Sequence, residues 1–440
     1  MQLLCRKEYS TQFFGRCLAK ILLAVIALCL VSCGDFFTPV HSTGEPTEYS
    51  YNYWLLDRTY LYQDEIPSLD PDGDSVELMY NKLSDIYTRY IPPSNSEAAE
   101  TSINTSIVSG DVGMEYAMYA ESEHPLFTYR IYPEGPAAKA NVPRYGNILA
   151  ANGIEITGEN AYDLYDSILT HNKTIILTIL FQGDTATYEM EKEDVYAPTV
   201  FVDTVSGIEV IKIKEFKLTT IDRVNGSYGE LKAYLDSTQN SDVPRIIDLR
   251  GNPGGHVSQC LDMADLFVAT GKLSTRSLRT FDGDGKKNVQ KTIRYASKGH
   301  SGEGKKFILL VNKSSASCAE IFAAAVSEGA DIPVAGTFSF GKGIGQTTWK
   351  TPKKALAIIT NLEFLTPKDN SYNKVGIEPD YPCETSTIDC GLEALEKYYG
   401  KKSAKKLLTA SSDNALLEIK SHLDNGEVFG GAIIDGSNNY

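Results

Sequence analysis

The stretch PRIIDLRGNPGGHVSQCLDMADLF, starting at Pro244, leaves the chain little choice of local structure. Arg245 to Leu249 reads as a buried strand, Gly251, Pro253, Gly254 and Gly255 build a turn, and Val257, Leu261, Ala264 and Val268 then recur at helical spacing. A strand driven through a turn into a helix is the unit of an α/β domain. Such a glycine turn also exposes backbone N–H groups that can receive a tetrahedral oxyanion or an extended peptide. A phosphate loop or a plain tight turn is the competing reading, but for the former neither G-x-x-x-x-G-K-[ST] nor G-x-G-x-x-G is present.

A second unit of the same kind follows. FILLVN, Phe307 to Asn312, has buried-strand character, and AEIFAAAVSEG reads as a helix ended by Gly329. Ser317 falls at the strand-to-helix turn between them, beside the positive end of a helix dipole that favours developing negative charge. Taken by itself, Ser317 with Glu320 is an S-x-x-E capping box. Twenty-five positions on, Lys342 lies between Gly341 and Gly343 in FGKGIGQ, where little side-chain bulk hinders a close approach. A hydroxyl needs a base to become a nucleophile at neutral pH, and a lysine supplies one when burial favours its neutral form. Ser317 and Lys342 thus form a candidate Ser-Lys dyad.

In order and separation, DLRGNPGG, SASCAEIFAAA, FGKGIGQ and VGIEPD resemble the S41 family of C-terminal processing peptidases, over nearly all of the chain after the first fifty residues. The resemblance implies that Ser317 is the nucleophile, Lys342 the general base and Gln346 the residue that orients the lysine. It implies an oxyanion hole made by the amide of Cys318 with one from Gly254 or Gly255. Some members carry an Asp eleven residues after the serine; here that position is Glu328, and a dyad suffices without it. The implied fold is multidomain α/β, and neither metal nor organic cofactor is implied.

Four basic residues, Arg6, Lys7, Arg16 and Lys20, precede the apolar run Ile21 to Val31, which is too short to span a bilayer. The LVSC that closes it resembles a bacterial lipobox, implying cleavage before Cys33 and lipidation of Cys33. A lipid anchor would hold the enzyme to a membrane of the cell envelope, facing the periplasm or exterior. This basic leader makes the rest of the chain more acidic than its formal total of −15, a surface that repels nucleic acid. Cys260, Cys318, Cys383 and Cys390 would remain after maturation. Cys383 and Cys390 could close a small disulfide loop in an oxidising space, whereas no C-x-x-C or nearby histidine suggests zinc.

The expected organisation is a signal peptide (1–32), a linker (33–48), a small helical N-terminal domain (49–98), a β-rich PDZ-like domain (99–195), a mixed α/β protease core (196–400) and a C-terminal helix and tail (401–440). Tyr60, Tyr62, Leu78 and Leu83 are expected core positions of the helical part, which Pro92 and Pro93 should end. The PDZ-like reading rests on YPEGPAAKANVPRYGNILAANGIEI, with Asn147 in place of the usual Asp. PDZ domains bind a peptide C-terminus by strand addition, with loop amides on the carboxylate. Here that loop would be Val112, Gly113, Met114 and Glu115, facing the helix Ala161 to Leu169.

Three rival functions compete with an envelope serine endopeptidase that cuts extended proteins or peptides near their C-termini. A Ser-His-Asp hydrolase would have to use His256, but no G-x-S-x-G elbow is present. A non-catalytic PDZ-containing peptide-binding lipoprotein would have no need of Ser317, Lys342 and Gln346 together. A polysaccharide-binding lipoprotein has only the anchor in its favour. The anchor itself is open to test: Cys33→Ala should shift the protein from the membrane fraction to the soluble one, or leave the leader uncut. A wild-type protein found wholly soluble, with no acylated N-terminal peptide by mass spectrometry, contradicts lipidation.

Overall fold

The computed structural model describes residues 46–69, 75–118 and 122–400; the leader, Cys33 and the C-terminal helix and tail lie outside these. A six-stranded sheet forms the centre, in the order Val200–Val205, Ile208–Ile213, Arg245–Asp248, Phe307–Val311, Val334–Gly336 and Tyr381–Pro382. The first two strands make an antiparallel hairpin and every later pairing is parallel. Parallel strands are covered on both faces, and alternation along each one divides its side chains between two cores. Ile247, Leu309 and Val311 face the helices Gly226–Ser237, Val257–Asp265 and Cys318–Ala330. Ile246, Ile308 and Leu310 face the helix Ile388–Tyr399 on the other side. The fold is mixed α/β and has several layers.

A second sheet carries the lysine segment. Arg89–Ile91, Leu356–Leu365, Lys272–Phe281 and Lys287–Tyr295 follow one another, and Ile344–Lys350 also pairs with Leu356–Leu365. The N-terminal helices do not bury a core among themselves alone. Tyr51, Leu55, Leu56, Tyr60, Met79 and Tyr80 share one cluster with Trp349, Ala357 and Ile359 of this sheet. Tyr60 is fully buried, Tyr62 and Leu83 lie partly buried at the margin, and Leu78 turns outward at 43% exposure. Pro92 and Pro93 begin a helix instead of ending one: Pro92 is the N-cap of Pro93–Asn104, and proline at N1 gives up an N–H that would have no helical partner anyway.

Between these parts lies a six-stranded antiparallel sheet, Met114–Met118, Leu126–Ile131, Asn147–Ala151 (with Ile154–Glu155 alongside), Thr174–Phe181 and Asp184–Glu191, closed by the helix Ala161–His171. Its own core joins Tyr116, Leu126, Ile148, Tyr165, Ile175 and Leu177. Charged groups fasten it to the central sheet. Buried Glu115 takes hydrogen bonds from Arg130 Nη1 (3.0 Å), Tyr132 Oη (2.8 Å) and Lys214 Nζ (2.7 Å), and Asp203 pairs with Arg130 and Arg144.

The approach to the glycine turn is set by one ion pair. Arg250 grips Asp248 with Nε at 2.9 Å and Nη2 at 2.8 Å, and Lys212 stands 3.5 Å away. Burial alone would push the Asp248 carboxyl up, but Arg250 and Lys212 outweigh it and hold it well below the usual carboxylate range. A carboxyl depressed by folding adds stability that is complete above its unfolded value, near about 4, and is lost as pH falls toward the folded value. Asp248→Asn should therefore cost roughly 3 kcal/mol at neutral pH, the price of breaking a buried pair, and flatten the acid limb of stability below about pH 4. Urea melts of both proteins across that range check this; parallel acid limbs would show that Asp248 is not the titrating group.

Candidate active site

Ser317 is the N-cap of Cys318–Ala330, held at φ 56° and ψ −116°. A side-chain-bearing residue with positive φ outside the left-handed helical well is strained by about 1–3 kcal/mol and persists only where its surroundings enforce it. The helix runs past Gly329, which presses on Val268, and ends at Asp331 in the left-handed conformation. Ser317, at 1% exposure, lies under the surface together with Lys342 and Gln346.

Glu320 is the main constraint on the serine's setting. Its Oε2 accepts from Ser317 N–H and from Lys342 N–H, both at 2.8 Å. The two amide nitrogens can therefore be no farther apart than those two bonds laid end to end. Its Oε1 accepts from Gly341 N–H and the Ser339 hydroxyl, both at 2.6 Å, and the Ser339 oxygen accepts in turn from Ile377 N–H. All four partners are donors, which suits an ionised carboxylate, an acceptor only. Burial nevertheless pushes the Glu320 carboxyl up, opposed by these same donors. The S-x-x-E string was readable as a cap; three of its four donors were not, because they come from 19 to 22 residues further on.

Lys342 points away from its backbone toward Gln346, donating to Oε1 at 3.1 Å, while Gln346 Nε2 donates to Thr360 Oγ1 at 3.0 Å. The lysine Nζ also stands 4.3 Å from the ring centre of Tyr87. Tyr87 belongs to the N-terminal segment, and nothing in its surroundings in sequence marked it for this position.

The glycine turn closes on the other flank. A Cβ placed on Gly254 (φ +111°) would lie 2.8 Å from Ser317 Cβ and 2.9 Å from Cys318 N, and one on Gly255 would meet Phe216 O at 2.1 Å. Only glycine permits this approach. The Gly254 N–H donates to buried Asn252 Oδ1 at 2.8 Å, while Gly254 O accepts from Phe216 N. The starts of two helices, Val257–Asp265 and Cys318–Ala330, are thereby brought close together, and a helix start favours negative charge. A cavity of about 200 Å³ opens alongside, lined by His256, Val257, Leu261, Arg276, Arg294 and Phe364 among others.

Residues 207–383 match peptidase family S41. That stretch of the chain carries an S41 peptidase domain. A Staphylococcus saprophyticus protein named "Probable CtpA-like serine protease" is 28% identical over 337 residues, which are 76% of this chain and 64% of that one. Its Staphylococcus epidermidis counterpart is 26% identical over 338 residues, 76% of this chain and 65% of that one. This chain thus spans just under two thirds of the length of either relative. A solved Bacteroides fragilis structure assigned to the S41 proteases superposes with a TM-score of 0.51 at 14% identity, over 89% of this chain and 99% of that one, a likeness of fold.

Other candidate residues lie elsewhere or are occupied. His256 occupies the N-cap position of its helix, and its Nε2 lies 2.8 Å from Asn104 Oδ1 at the end of the helix Pro93–Asn104. Glu328 accepts from Lys368 N–H, about 16 Å along the helix from Ser317 at the usual rise per residue. Cys383 and Cys390 are joined in a disulfide. Val112, Gly113, Met114 and Glu115 do not form an open cradle for a carboxylate. Gly113 N–H donates to Asp111, Gly113 O and Val112 O accept from Tyr132 and Ala137, and Glu115 is turned to Arg130 and Lys214. Gly135 packs over the loop, so close that a Cβ on Gly113 would lie 2.9 Å from its Cα. Among the described residues no cluster of His, Cys, Asp or Glu is arranged to hold a metal, and no helix is long and apolar enough to cross a membrane.

The clamp generates a prediction of its own. Glu320→Gln puts an amide N–H₂ against backbone donors, so about 1–3 kcal/mol of stability is lost per unmatched partner, and any activity falls by roughly 100-fold through misplacement of Ser317 against Lys342. Thermal melts and turnover of Glu320→Gln check both, and unchanged values for the two would dismiss the clamp.

Proposed function

We propose that this chain, through its S41 domain, is a serine endopeptidase that cleaves extended proteins or peptides close to their C-termini, with Ser317 as nucleophile and Lys342 as general base. The observation that carries this reading is the shared acceptor. One carboxylate oxygen takes both the Ser317 and the Lys342 amide, which supports a fixed pair from two distant segments. Ser317 Oγ attacks the scissile carbonyl carbon while neutral Lys342 Nζ takes its proton. The oxyanion that forms is met by the Cys318 N–H and a glycine-turn amide, for which Gly255 is the better candidate because the Gly254 N–H is already given to Asn252. Lys342 then returns its proton to the leaving amine, and water resolves the acyl-enzyme by the same route. Gln346 Oε1 keeps the lysine head turned inward between these steps. The cavity beside His256 is of a size to accept a substrate side chain.

Hydrolysis of a fluorogenic peptide by the purified protein tests the assignment. The rate should rise with pH through the neutral range and level off, since the deprotonated amine is the active base. Lys342→Arg should be inactive because guanidinium stays protonated, Ser317→Ala equally so, and the double variant hardly worse than either. Amidating the C-terminus of the substrate should slow its cleavage if the end is read. Normal cleavage by Lys342→Arg alongside an inert Ser317→Ala would assign the base to another residue, and no hydrolysis by wild type under any condition favours the non-catalytic peptide-binding alternative.

A further inference from the structure

Two cysteine thiols that this chemistry does not use meet where the two helices begin. Cys318 opens the helix after Ser317, and Cys260 lies on the first turn after the glycine turn. Both are wholly buried in the main core and carry no S–S bond in this structure, yet their Sγ atoms are only 2.7 Å apart, inside van der Waals contact and close enough to bond with a small shift. Each sulfur is also seated against backbone, Cys318 Sγ 3.1 Å from Gly255 O and Cys260 Sγ 3.4 Å from Val257 O. Gly254 lies directly against Ser317 and Cys318 N, so the two segments meet backbone to backbone at this point. The chain already closes one cysteine pair, Cys383 with Cys390.

We propose that Cys260 and Cys318 close a second disulfide in the mature protein, fastening the glycine turn to the nucleophile turn. Each thiol gives up its proton and the pair gives up two electrons as the S–S bond forms. The electrons reduce the disulfide of a thiol–disulfide exchange protein, or oxidised glutathione in the test tube, to two thiols. Since both sulfurs are covered once the helices dock, exchange takes place during folding and the finished bond is shielded from reductants. The bond spans 58 residues, a long loop whose closure strongly restricts the unfolded chain. It also ties together the two turns from which the proposed oxyanion donors project.

The bond can be read without reference to peptidase activity, so its failure and the failure of the catalytic reading are separable. The mature chain is refolded from denaturant in a glutathione redox buffer, alkylated in denaturant without reductant, digested and mapped by mass spectrometry. The expected result is a linked pair of peptides carrying Cys260 and Cys318, lighter by two hydrogens than their sum. Alkylation of both residues overturns the proposal, whether or not Cys383 and Cys390 are joined. As a second readout, unfolding the oxidised wild type and refolding it with reductant should lower Tm by roughly 5 °C or more and slow turnover. Cys260→Ala should show neither response to redox conditions. An equal response in that variant would place the redox effect at Cys383 and Cys390 and overturn the fastening role.

Discussion

The working part of this molecule depends on one buried carboxylate. Glu320 collects the amides of Ser317, Gly341 and Lys342 and the hydroxyl of Ser339, and Ser339 passes the connection on to Ile377. A carboxylate so placed is costly to bury unless its lone pairs are filled, and here the filling groups belong to the segments that a serine and a lysine need to be held by. The same contacts compensate the strained Ser317 backbone. A cap that begins as a local helix-start device thus becomes the joint between the central sheet and the second sheet.

Around that joint, close backbone packing does what side chains cannot. Gly254 and Gly255 bring the start of one helix close to the start of another, with Gly254 against Ser317 and Cys318 N. The Asp248–Arg250 pair fixes how the chain enters this turn. On the lysine side, Gln346 and Thr360 form a short relay of hydrogen bonds, and the Tyr87 ring brings the N-terminal segment into the site. The N-terminal helices are therefore part of the second sheet's packing, with Trp349, Ala357 and Ile359 completing their core.

Much of the fold was legible in the chain because its signals are local. Strand-turn-helix units announce themselves through alternation, helical spacing and glycine, and the S-x-x-E string marks where the second helix begins. The candidate dyad and its glutamine are suggested in the sequence only by the family's motifs; Lys342 lies in the glycine-flanked loop and Gln346 on the strand Ile344–Lys350 that follows it. The Pro92–Pro93 pair was misread as a stop because proline ends helices and starts them equally well, and only the following packed turn of Pro93–Asn104 decides between the two.

The sequence by itself determined the periodic elements, the glycine positions and the residue types able to do acyl-transfer chemistry, since each of these follows from a few consecutive residues. Tertiary structure alone decided the partners. Glu320 receives donors from 19 to 22 residues away, Tyr87 reaches Lys342 across most of the chain, Leu78 turns outward, and Gly113 is sealed by Gly135. It was likewise the docking of two helices, 58 residues apart in the chain, that set Cys260 against Cys318. Hydrogen-bond partners and contacts of this range carry no local pattern, because they are fixed by which faces of distant elements are buried against each other.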